Sequence, residues 1–208
     1  MSEENVPRGE RTQAEIVQAA HQLFIENGYH GTSMRQIAEG AGIAVGGIYN
    51  HFASKEEVYL AVFLAHNPYL DIVPAMMSAQ GEDLESLLRD AAHRMVGALN
   101  NRLDFLNLMF IELVEFDGRH VPQLFRIFFP QVLEFARRTL QDREELRPIS
   151  PPILMRAFLG LFFSYTLTEI LIAKQMPPEM SSNALDHFVD IYLYGVLKDG
   201  RPETEPSS

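Results

Sequence analysis

The sequence predicts an all-α fold. Apolar residues recur every three to four positions along almost all of the 208 residues. No stretch alternates apolar and polar residues as a half-buried strand would. Helix-start signals precede the periodic stretches: Ser33 with Gln36 three residues on, and Ser54 with Glu57. With 47% hydrophobic and 22% charged residues the chain fills a core and keeps a polar surface, which excludes a disordered or collagen-like polymer. It has no cysteine, so disulfide frameworks, thiolate zinc sites and cysteine nucleophiles are excluded as well.

The first helix is expected from about Arg11 to Asn27, with Ile16, Ala19, Ala20, Leu23 and Phe24 on one face, and Gly28 stops it. Thr32 and Ser33 offer capping hydroxyls to a second helix ending near Glu39. Gly40-Ala41-Gly42 forces a tight turn, after which a third helix runs from about Val45 to His51. Ser54 caps a fourth, to about His66, and Pro68 and Pro74 then mark a connection between two parts of the molecule. Leu84, Leu87, Leu88, Ala91, Met95 and Leu99 form a stripe on a helix from Asp83 to Asn101. Leu103 to Phe116 is apolar nearly all round, which implies burial on several sides. Pro122 starts a helix over Val121 to Asp142 that Pro130 is expected to kink. Ile153 to Lys174 and Ser181 to Lys198 complete about nine helices. The domain reading is a flexible arm over 1–10, a three-helix head with its connecting helix over 11–66, a larger helical domain over 67–199, and a flexible polar tail over 200–208.

The acidic, polar start lacks the pattern of a secretory leader, and the longest charge-free apolar run, Ala157 to Thr168, has 12 residues against the roughly 20 that cross a bilayer as a helix. A cytoplasmic location without a membrane partner is therefore expected. The formal charge of −11 argues against a generic polyanion binder. Residues 1–60 hold four Lys/Arg against eight Asp/Glu, so any duplex binding must come from where charges point, with Arg8 and Arg11 as an arm along the backbone.

One segment carries chemistry. A helix-turn-helix needs a small residue where its helices approach, a glycine in the turn and an aliphatic on the buried face of the second helix; Ala38, Gly42 and Ile48 fill these roles at intervals of four and six. Ile37, Ile43 and Phe52 complete the small core. The fuller string, Ala41-Gly42-Ile43, Gly46, Ile48-Tyr49-Asn50-His51-Phe52 and Ser54-Lys55-Glu56, resembles the DNA-binding domain of the tetracycline-repressor (TetR) family of bacterial regulators, over roughly residues 10–60. Beyond residue 66 the likeness is one of layout.

The resemblance implies a homodimer on a palindromic DNA operator, built from the last two long helices, with a variable ligand-binding domain and release by a small molecule. It places Tyr49 and Lys55 at phosphates, with Thr32 and Ser33 contacting phosphate while capping. Arg35, Val45, Gly46, Asn50 and His51 lie on or beside the face that enters the major groove, Asn50 suited to adenine and Val45 to a thymine methyl. Ala44 departs from the serine that commonly caps the recognition helix, and Val45 and Gly47 stand where relatives are often polar, so fewer direct hydrogen bonds to bases are expected.

The second half is dense in large apolar side chains. Phe105, Met109, Phe116, Phe125, Phe128, Phe162 and Tyr165, with Glu112 for orientation, are the candidate contacts of an apolar or aromatic effector. Ala157, Gly160, Leu161, Ser164 and Thr168, then Leu185, Phe188, Val189 and Tyr192, are the candidate dimer interface, the small residues letting a second helix pair come close. His93 and His187 are isolated, and no metal site, cofactor or catalytic constellation is read: nucleophile elbow, P-loop and dinucleotide fingerprint are absent from the sequence. The competing class is a helical small-molecule carrier, which leaves the segment from Gly46 to Phe52 without a role.

Overall fold

A computed structural model describes residues 7–99, 103–172, 175, 177 and 183–197, and it is helical throughout, with an isolated bridge between Leu146 and Leu197 but no strand among those residues. The helices are α1 (Arg8–Asn27), α2 (Met34–Gly40), α3 (Val45–Ile48), α4 (Lys55–Ala65), α5 (Tyr69–Met77), α6 (Leu84–Leu99), α7 (Leu103–Phe116), α8 (Val121–Leu140), α9 (Pro151–Ile172) and α10 (Ala184–Val196). Each of the nine expected helices has its counterpart. Lys174, Ser181, Lys198, residues 1–6 and the tail over 200–208 lie outside the described residues.

Three expectations need correction. Residues 8–10 are not an arm: Pro7 precedes the first turn of α1, where a missing N–H costs nothing, and the Thr12 hydroxyl donates to Arg8 O at 3.0 Å. Pro68 does stand where the chain passes from one compact unit to the other, between α4 and α5, but Pro74 does not interrupt a helix. Pro74 lies inside α5, whose Ile72, Val73 and Met76 are buried, so side-chain burial outweighs the lost backbone bond. Finally, Lys55–Met77 and Pro151–Ile172 are by length and composition long and apolar enough to cross a bilayer, because the apolar stretch continues past single charges such as Arg156 and Glu169. Both stretches contribute to helical cores here.

Two compact units emerge. The first holds residues 7–67 together with 103–125, so α7 and the start of α8 pack with the helix-turn-helix although they are distant from it in sequence. Ile16, Ala20, Phe24, Ile37, Ile48, Val58 and Phe63 form its interior. Tyr59 packs against Phe24 and Phe116 there, and its hydroxyl donates to Leu108 O of α7 at 2.8 Å. The second unit holds residues 68–99 and 126–197; α5 and α6 form a hairpin, and α9 and α10 pack on α6 around Leu88, Phe135, Phe158, Phe162 and Val189. Arg89 of α6 reaches Asp186 and Asp190 of α10 at 3.0 and 2.8 Å.

Candidate nucleic-acid interface

The site is assembled by short-range rules. Ser33 caps α2: its hydroxyl oxygen accepts from Gln36 N at 3.3 Å while the Gln36 amide oxygen accepts from Ser33 N at 2.9 Å, the reciprocal box expected from the spacing. Gly40 lies against α1, where an added Cβ would meet the Ala19 methyl at 3.3 Å. Gly42 has φ +68°, a left-handed conformation that favours glycine, and the next residue, Ile43, donates back to Ala38 O at 3.0 Å. The backbone thus turns and delivers Ala44 to the start of α3.

α3 is shorter than expected. It ends at Ile48, and Asn50 and His51 continue with i→i−3 backbone bonds to Gly47 and Ile48. Ala44 supplies no side-chain cap and two of the four helical residues are glycines, so local propensity sustains only one turn. Ile48 and Phe52 anchor the segment inward, which leaves Val45, Gly46, Tyr49 and Asn50 on the outside and His51 half-buried. Ser33 and Arg35 of α2 are exposed beside them, Arg35 Nε held on Glu39 at 2.8 Å. Seven of the nine candidate DNA contacts therefore remain available: Ser33, Arg35, Val45, Gly46, Tyr49, Asn50 and His51.

The other two are corrected. Thr32 is 2% exposed, and its hydroxyl donates to Leu23 O and Gly28 O at 3.0 and 2.9 Å, closing the turn after α1 instead of facing a phosphate. Lys55 spends two of its three donors inward, on Tyr29 O and Thr32 O, both at 2.7 Å, with its ammonium 4.2 Å from the Tyr29 ring centroid. Partial burial lowers its pKa. It is a clamp that fixes the α1–α2 turn to α4. Sequence reasoning missed Tyr29, which packs edge-on against Phe116 and receives this clamp.

Several further ties hold α7 to the same head. Asp104 lies 3.1 Å from His21 of α1, and Glu115 lies 2.6 Å from His30 of the α1–α2 turn. Glu112 is 0% exposed and accepts both the backbone N–H of His120, at 2.7 Å, and its Nδ1, at 2.9 Å. Asp117 and Gly118, with φ of 51° and 73°, make the turn that brings His120 back onto Glu112. Arg119 reaches Glu56 of α4 at 3.1 Å. Burial and the nearby Glu112 push the Tyr59 phenol upward.

The structure divides the candidate effector contacts between the two units. Phe105, Glu112 and Phe116 face the interior of the first unit, so they serve its packing; Met109 is half-buried there and Phe125 exposed. Phe128, Phe162 and Tyr165 belong to the second unit, where Phe128 stacks on Tyr69, Phe162 lies tilted against Phe158 and Tyr165 meets Phe188 edge-on. A recess of about 350 Å³ in the first unit is lined by Ser54, Glu56, Glu57, Leu60, Arg119, His120 and Gln123. Among the described residues no group of three or more acidic or histidine side chains is placed to hold a metal.

The dimer candidates divide by helix face. On α9, Ala157, Gly160 and Ser164 are exposed, with Leu161 and Thr168 half-buried at the edge. On α10 the expectation chose the wrong side: Leu185, Val189 and Tyr192 are buried in the core, the Tyr192 hydroxyl donating to Leu154 O at 2.9 Å, and Phe188 is half-buried. The opposite face of α10 carries Ile191, exposed, with His187 and Gly195.

Residues 16–62 match the model of bacterial regulatory proteins of the tetR family. The chain is 43% identical over 61 residues to the transcriptional activator FasR of Mycolicibacterium smegmatis, a match that spans 29% of this chain and only 27% of that protein. It is 25% identical over 176 residues to the transcriptional regulator UidR of Escherichia coli, covering 82% and 86% of the two chains. In three dimensions it resembles NalD, described as the secondary repressor of the MexAB-OprM multidrug efflux pump in Pseudomonas aeruginosa, with a TM-score of 0.64, 23% identity and coverage of 92% and 99%. That last likeness is one of fold.

Proposed function

Because the chain is a TetR-family regulator by its amino-terminal domain, we propose that it binds a palindromic operator in double-stranded DNA as a homodimer in the cytoplasm, represses transcription there, and is released by an apolar or aromatic small molecule without catalysing a reaction. The observation that carries this reading is the exposed surface of Val45, Gly46, Tyr49 and Asn50 held out by the buried Ile48 and Phe52. One such segment reads too few base pairs for useful specificity, whereas two a helical turn apart read enough. The outward residues Ile153, Ala157, Gly160, Ser164 and Leu171 of α9 recur at helical spacing, and they and the exposed Ile191 of α10 suit a paired copy.

Repression is the sign described for NalD, whereas FasR is described as an activator, so the opposite sign is the outcome to watch. An effector favouring a dimer whose segments no longer match successive grooves would change operator affinity by roughly 5- to 150-fold for a coupling of about 1 to 3 kcal/mol. Selection of duplexes from a randomised pool by the purified protein, followed by sequencing, tests the core of the proposal. Enrichment of a short inverted repeat is expected; retention no different from random duplex at low salt would overturn it. A carrier without operator binding would show saturable uptake of apolar ligands together with that negative result.

A further inference from the structure

Of the seven candidate contacts that stay available, Arg35 alone carries a fixed positive charge. It stands in a region poor in such groups, with four Lys/Arg against eight Asp/Glu over residues 1–60. Its Nε nevertheless donates to the Glu39 carboxylate at 2.8 Å, and both side chains are exposed. Helix stability does not account for this pair. Arg35 is the second residue of α2 and Glu39 the last but one, so the cation stands at the positive end of the helix dipole and the carboxylate at the negative end. The order is also the weaker one for an i,i+4 pair, which prefers the acid first, and exposed pairs of this kind contribute little. A carboxylate one turn from a residue that meets a polyanion lowers affinity. Its presence needs another reason.

We propose that Glu39 is a positioning residue that aims Arg35 at a guanine in the major groove and away from phosphate, and so helps to set the operator sequence. The inference rests on the operator binding proposed above and deepens it by assigning one base. A guanidinium has a side edge that includes Nε and an end edge made of the two Nη groups, and each edge can hold two acceptors. Glu39 takes the Nε hydrogen, and neither Nη has a partner among the described residues, so the end edge is left for the O6 and N7 pair of guanine. The bond also holds a long side chain in one orientation before the duplex arrives, which lowers the entropy lost on contact. Charge then separates the two targets. Glu39 repels a phosphate, an anion, whereas the guanine edge is neutral, so the same carboxylate weakens the contact that carries no sequence information and spares the one that does. The frame beneath is fixed: the Ser33–Gln36 box closes one end of α2, and Gly40 packs on Ala19 of α1 at the other.

Duplexes selected from a randomised pool by the full chain, by Arg35→Ala and by Glu39→Gln are sequenced. Affinities for the best duplex, for the same duplex with the guanine of one half-site changed to adenine, and for random duplex are then measured at several salt concentrations. Both residues are exposed, so both variants keep the fold, which thermal unfolding checks. The wild-type chain is expected to prefer guanine at one position of each half-site by roughly 5- to 150-fold, the range of a bidentate pair. Arg35→Ala loses that preference. Glu39→Gln lowers it by about 2-fold or more, the smallest coupling between groups in contact, while binding random duplex as tightly as the wild type or more tightly. A merely structural role for Glu39 would shift all affinities together and leave the base preference in place; that result overturns the assignment with operator binding intact. So does an Arg35→Ala variant that weakens binding evenly across sequences and reduces the salt slope by about 1, since the arginine then sits on phosphate. Enrichment of no sequence by the wild-type chain overturns both this inference and the function on which it rests.

Discussion

The two units are held together in different ways. In the first, one lysine clamps two carbonyls, one threonine closes a turn and one buried carboxylate fixes a histidine. In the second, a broad apolar cluster fills the space between α5, α6, α8, α9 and α10, with ion pairs such as Arg89–Asp190 at its surface. A unit whose outward segment has only two buried anchors cannot position it by volume filling alone. Directional hydrogen bonds, which lose strength steeply with angle, supply the missing precision. The larger unit has apolar surface to spare and uses it for bulk stability.

This contrast can be broken at four points. The largest effect is expected from Phe158→Ala, which removes a fully buried ring beside Phe162 and Tyr192 and should cost about 3–5 kcal/mol in denaturant unfolding. A loss under about 1 kcal/mol would mean that the second unit is not held by close packing. Lys55→Met comes next. It leaves the carbonyls of Tyr29 and Thr32 without their donor and should destabilise the first unit by about 1–3 kcal/mol, read by hydrogen exchange in the α1–α2 turn. The slope of operator affinity against salt should stay nearly constant in that variant, whereas a lysine bound to phosphate would reduce it by about 1.

Ser33→Ala should cost about 1 kcal/mol by uncapping α2, again in the first unit, with Ser33→Asp restoring most of it; equal stability of all three proteins would remove the capping account. The smallest effect belongs to the surface of the second unit. His93 and Arg89 beside Asp186 hold its carboxyl below the usual carboxylate range. A depressed carboxyl contributes stability above its unfolded value, about 3.9, and loses it as pH falls through the folded value. Acid titration of stability should therefore show a loss under about 1 kcal/mol below pH 4 that is absent from Asp186→Asn, the group being partly exposed.

Much of this was legible from local pattern. Ile16, Ala19, Ala20 and Phe24 fall on the buried face of α1 as their spacing implies, and Ser33–Gln36 forms its box because capping depends on neighbours three residues apart. The Lys55 clamp was not legible, since its acceptors lie 26 and 23 residues away and a lysine after a cap is equally suited to phosphate. Periodicity also misassigned α10. The stripe of Leu185, Val189 and Tyr192 is the strongest on that helix, and a strong stripe says that a face is covered without saying by what. Here its own subunit covers it, and the weaker face with Ile191 is left outward. On α7 a nearly uniform apolar sequence concealed which side held Glu112.

The glycine pair in α3 has a thermodynamic consequence. Gly46 and Gly47 have open space where a side chain would sit, and Ala44 gives the segment no cap, so it keeps more backbone freedom than neighbouring helices. Docking into a groove quenches that freedom, and each docking event carries an entropic penalty that a stiffer segment would avoid. On the operator proposed above, that penalty would lower affinity relative to a stiffer segment and shorten residence on the duplex.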